Sequence, residues 1–236
     1  MGFLSKKIRR LPAKTGSLAF YICIPVFLFL SYSLSNLLFN RSVNESYSLL
    51  IEFTCSTLVG YTIFMFIGLR YQRTFFHELK HLLLVTFSGN KAKKVVVKDN
   101  TGSVDFTIEE SDLKFRPFIN LAPYTLPIFS LLSFIFILFS YSYLPTASRL
   151  LLLSLPLGLD LQMNAKEAHS QQSDLKDIRG GLLASYLFIL SANFFWFIFC
   201  LCLYSFGPAG IAKAGLHVLH DFSQIIKYFS SMYYDR

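Results

Sequence analysis

Two histidines stand four residues apart in Phe75-Phe76-His77-Glu78-Leu79-Lys80-His81-Leu82-Leu83-Leu84. On a helix that spacing projects both imidazoles from one face, one turn apart, so both can reach one Zn²⁺. Glu78 lies beside that face and off the line joining the imidazoles. There a carboxylate suits a base acting on water at the metal better than a further ligand. The plainer alternative for the same residues is a helix at a membrane interface with a solvated polar face.

A catalytic zinc takes three protein ligands and keeps one position open. Asp160, His169, Asp174 and Asp177 are the candidates for the third. Asp174 is the first choice. It precedes an apolar segment, where a carboxylate also serves as an ordinary helix cap. Asp160 is the second choice. It sits in Leu155-Pro156-Leu157-Gly158-Leu159-Asp160-Leu161, where a carboxylate is costly unless a metal or a cation compensates it. His217 and His220 form another pair at metal-binding spacing, and the topology below assigns them to the opposite interface.

The elements that must carry these residues are membrane helices. Of the 236 residues 53% are hydrophobic and only 15% are charged, which marks a polytopic membrane protein rather than a soluble domain. The net charge of +8 gathers at the ends of apolar stretches: Lys6, Lys7, Arg9, Arg10 and Lys14, then Arg70 and Arg73, then Lys91 to Lys98. That distribution sets orientation and is not the footprint of a nucleic-acid partner. Cys23, Cys55, Cys200 and Cys202 all fall in apolar sequence and read as packing residues, not as a disulfide framework.

The apolar stretches at 17–39, 47–69, 118–143, 149–161 and 181–204 predict an α-helical integral membrane protein with about five membrane-embedded segments. The first is too long for a signal peptide and is expected to be retained. Its basic flank places the N-terminus in the cytoplasm, across a bacterial inner membrane. His77, His81, Asp160 and Asp174 then share the cytoplasmic side. Pro123 and Pro127 predict a kink early in the third segment, and Pro156 and Gly158 a tilted or partly unwound fourth. Asn193 is expected to bond across helices. Residues 91–116 read as a small cytoplasmic β-hairpin, with strands at 94–98 and 104–108 around the Gly-containing turn 99–103. Residues 1–206 thus form the membrane-embedded domain and 207–236 a tail. Within the tail, about 209–231 is an amphipathic helix, lying on the membrane surface or against the bundle and placed on the side opposite the metal motif.

From about 56 to 205 the chain resembles the site-2 type intramembrane zinc metalloproteases, in particular their compact bacterial branch. The resemblance is carried in order by His77-Glu78-Leu79-Lys80-His81, the strand pair at 94–108, Asn120-Leu121-Ala122-Pro123 opening the next segment, and a late Asp. It implies a zinc held by His77, His81 and an Asp of a later segment, with Glu78 as general base. It also implies a hairpin that presents a transmembrane or membrane-associated protein substrate out of the lipid bilayer. Two departures stand out. Lys80 occupies a place the family gives to a small residue, often Gly, and neither Leu159-Asp160-Leu161 nor Ser173-Asp174-Leu175 keeps the family's Leu-Asp-Gly.

Other functions fit parts of the same pattern. A non-catalytic membrane scaffold or assembly factor would carry a degenerate HExxH. A zinc-binding transporter subunit is a third reading, opposed by the few paired intramembrane charges and the lack of an inverted repeat. No motif fixes an oligomeric state.

Overall fold

The computed structural model describes residues 17–39, 43–67, 70–98, 102–107 and 110–234. The basic stretch 1–16 and the hairpin tip at 99–101 lie outside them. Among the described residues, three helices are long and apolar enough to cross a membrane: α1 (Leu18–Phe39), α2 (Val43–Phe66) and α8 (Gly181–Tyr234). A fourth candidate is the broken pair α4 (Arg116–Thr125) and α5 (Ile128–Ser140), which meet at 79°. The bend falls at Leu126-Pro127, as the two prolines predict.

The expected fourth segment is α6 (Thr146–Glu167), and here the structure corrects the sequence reading. The helix is continuous through Pro156 and Gly158 and runs on past Leu161 to Glu167. By composition it is not one of the candidate spans. Instead it packs tightly on α2. A side chain at Gly60 would meet the backbone of Leu155 at 2.7 Å, so the absence of a Cβ lets the two backbones touch.

α3 (Arg70–Phe87) carries the HExxH residues and buries one side of itself, Glu78, Lys80, His81 and Val85, while Tyr71, Phe75 and Phe87 face outward. Next come β1 (Lys91–Val97) and β2 (Gly102–Thr107), an antiparallel pair in register from Lys91↔Thr107 to Val97↔Gly102, with a bulge between Ala92 and Lys94. The β-branched run Val95-Val96-Val97 favours this extended form. α7 (Ser173–Lys176) is a single turn between α6 and α8.

Two apolar cores hold the bundle. One gathers Leu34, Leu38, Phe53, Leu153, Leu157 and Leu203; the other gathers Phe20, Leu121, Tyr124, Leu175, Ile178 and Phe188, next to the HExxH helix. Cys200 and Cys202 pack in the first, but Cys55 is exposed on α2, so it is not the packing residue the sequence suggests.

Of the two positions expected for the tail helix, on the membrane surface or against the bundle, the structure has the second. At Gly207 the backbone adopts φ 68°, a left-handed conformation that glycine tolerates, and a Cβ there would strike the Tyr141 ring. The chain turns back at that point. Cys202 contacts the Leu34 carbonyl, whereas Ser33 donates to Asp221 at 2.6 Å and the Phe29 and Phe222 rings lie 6.3 Å apart. The amphipathic arm therefore runs antiparallel to α1, against the bundle, with Leu216, Leu219, Phe222 and Ile226 on its outer face.

Candidate metal centre

α3 places the His77 and His81 rings 5.0 Å apart on one face. α7 brings Asp174 to them. Its Oδ2 lies 3.3 Å from His81 Nε2 and 3.7 Å from His77 Nε2, and one ligand atom from each of the three lies within 4.8 Å of the others. The group can hold a metal ion. The donor set of two imidazoles and one carboxylate fits zinc with an open position.

Supporting contacts orient these ligands. His81 Nδ1 donates to the Ile119 carbonyl at 2.8 Å, which fixes a proton there and aims Nε2, the atom left for a metal once deprotonated, at Asp174. Burial disfavours charge on His81, but the hydrogen bond and charge of Asp174 outweigh it and raise its pKa. Burial likewise favours protonated Asp174, yet hydrogen bonds from His77 and His81 hold its carboxyl well below the usual carboxylate range. The group is thus a ready ligand at neutral pH. Glu167 Oε2 lies 3.7 Å from His77 Nδ1, and the Tyr124 ring meets His77 edge-on. Neither residue stands out in the sequence. Glu167 becomes visible only once α6 is known to run that far.

Glu78 is buried beside the ligands, and burial pushes its pKa above the ordinary glutamate value against the opposing His77 and His81 charges. It faces a cavity of about 570 Å³ that also receives Arg73, Asn120, Glu167 and the β2 residues Gly102, Val104 and Phe106. The hairpin sits directly on the base: a Cβ on Gly102 would overlap the Glu78 carboxylate.

The remaining candidates separate cleanly. Asp160 takes no part in the metal group. It is buried under the α4–α5 break, where Oδ2 accepts from Ser130 N at 2.7 Å and from Ser130 Oγ at 2.6 Å, and Oδ1 from Phe129 N at 3.4 Å. It caps the start of α5, and that explains a carboxylate in apolar sequence. His169 is exposed at the cavity rim and pairs with Gln172, and Asp177 lies outside the group. His217 lies 3.6 Å from Asp221, and His220 pairs with Gln224 on the returning arm. Asn193 does bond across helices, to Asn164 and to the Tyr124 carbonyl.

These roles predict opposite results for the two aspartates. Asp160→Ala strands the two N–H groups that open α5 and costs about 2–3 kcal/mol of stability. It should lower the thermal unfolding midpoint in detergent while stoichiometric metal, measured by elemental analysis, remains.

Comparison with protein-family models, with curated proteins and with solved structures returned no match. The candidate site therefore rests on its own geometry.

Proposed function

We propose that the protein is an integral-membrane zinc metalloprotease, in which His77, His81 and Asp174 hold the zinc and Glu78 is the general base. The observation that carries this reading is the convergence of the three ligands and Glu78 in one cavity beneath a β-hairpin. All of it lies within a protein whose longest helices are apolar enough for lipid.

Zinc, when bound, supplies Lewis acidity that eases deprotonation of water and polarises a peptide carbonyl. Glu78 accepts the proton of the attacking water and delivers it to the leaving nitrogen, so that water is added across the scissile C–N bond. Its raised pKa suits the second half of that task, because burial makes Glu78 easier to protonate than a free carboxylate. Asn120, on the cavity wall, offers an amide to a substrate carbonyl. β2 lines the same cavity and, in a sheet of two strands among the described residues, has an edge away from β1 for an extended segment to pair with. A membrane helix must unwind before its peptide bonds can be cut, and strand addition beside the metal would hold it unwound. The substrate class is accordingly a transmembrane or membrane-associated protein. Incubating the zinc-loaded protein in liposomes with single-span peptides, and identifying products by mass spectrometry, tests this. Cleavage that a zinc chelator stops is expected; no cleavage of any peptide by a zinc-loaded protein favours the scaffold.

The basic flanks support a cytoplasmic N-terminus in a bacterial inner membrane, with the metal motif and hairpin on the cytoplasmic side and α5–α6 joined outside. Cysteines at Ser103 and Ala147, in a background without native cysteines, are expected to react with impermeant reagents from opposite faces. Labelling of both from one side would refute this topology.

A further inference from the structure

Each carbonyl of an α-helix normally accepts from the N–H four residues on. Pro123 and Pro127 have no N–H to give, so α4 leaves the Ile119 and Pro123 carbonyls without their helical donors. These two carbonyls stand one turn apart. Both are taken by α3, and by adjacent residues of it: His81 Nδ1 donates to Ile119 at 2.8 Å, and Lys80 Nζ to Pro123 at 3.0 Å. Lys80 is only 1% exposed, a costly place for an ammonium unless its bonds matter. Its second bond goes to Asn164 Oδ1 of α6 at 2.9 Å. Just before the break Asn193 serves the Tyr124 carbonyl, and beyond it Asp160 serves the Phe129 and Ser130 N–H groups. Side chains from other helices thus fill the gaps at 119, 123, 124, 129 and 130.

We propose that Lys80 is a positioning residue for the His81 ligand. Its bond to the Pro123 carbonyl sets the spacing of α3 and α4, and that spacing holds the Ile119 carbonyl against His81 Nδ1. The two prolines supply both acceptors, and the metal motif supplies both donors. This inference rests on the metal-centre part of the function proposed above and on nothing about the substrate.

Cobalt(II), whose visible bands report ligand geometry, is the probe. Lys80→Met keeps the stem and removes the donor. Combining it with Asp160→Asn avoids leaving a buried carboxylate without its nearby cation. Relative to Asp160→Asn alone, the double variant is expected to bind cobalt at least about ten-fold more weakly, the usual scale for losing an outer-shell partner. Its visible bands should shift. In the metal-free protein at alkaline pH, where the ring is neutral, the ¹⁵N resonances of His81 should lose the pattern of a single Nδ1–H tautomer. A folded double variant that matches Asp160→Asn in all three overturns the proposal. Should the double variant not fold, Lys80→Arg decides. It keeps the buried cation but changes the length and geometry of the donor at the Pro123 carbonyl, and wild-type cobalt bands and affinity there overturn the proposal equally. A wild type that binds no cobalt overturns both this and the metal centre. Shifted bands with no peptide cleavage by any form support the positioning role and count against the protease alone.

Discussion

His81→Ala is expected to empty the metal centre. The substitution removes one of three ligands and also releases the Ile119 carbonyl that orients it. Loss of an outer-shell partner alone weakens metal binding by about 10–100-fold, so loss of a ligand should exceed about 100-fold. Zinc should fall from stoichiometric to trace after dialysis, and His77→Ala and Asp174→Ala should do the same. Zinc retained in both histidine variants would reject the site. The same contacts give a pH dependence. An imidazolium cannot bind metal, and Asp174 raises the His81 pKa, so protons compete with zinc from a higher pH than at a free histidine. Zinc affinity should be full at alkaline pH and decline as pH falls through the raised His81 value. Titration with a zinc indicator across pH 5 to 8, about the range in which a histidine changes charge, reads this directly.

Glu78→Gln is expected to leave a folded, zinc-loaded protein whose peptide cleavage falls by at least about 100-fold, the usual contribution of a general base. Glutamine fills the same volume beside Gly102 and still hydrogen-bonds, but it cannot take a proton from water. The three metal ligands are untouched, so zinc content separates this variant from the histidine variants. Equal cleavage by wild type and Glu78→Gln would refute the role given to Glu78. A scaffold would show no cleavage by either form.

The sequence makes His77, Glu78 and His81 legible because helical spacing is a local property. It makes the kink at Pro127 legible for the same reason. Asp174 and Asp160 could not be separated in that way: both are carboxylates near the ends of apolar runs. What divides them is the path of the chain around α4–α5, which puts free N–H groups over Asp160 and two imidazoles over Asp174. α6 was hidden because Pro156 and Gly158 look like breakers. Here Gly158 and Gly60 serve close packing on α2, a tertiary demand that local propensity does not express. Lys80 reads as a solvated polar residue until the prolines opposite it are counted as sources of carbonyls.

The reversal at Gly207 changes what a reporter fused to the chain would read. From Phe222, beside Phe29, the helix continues to Tyr234, a rise of roughly 18 Å, about the length of α1 from Phe29 back to its start at Leu18. The rest of the arm is thus long enough to reach the level of the start of α1. Under the proposed topology an enzyme fused after Phe206 is expected to report the compartment opposite the N-terminus, and different readings from fusions after Phe206 and Tyr234 would be the sign that the arm recrosses.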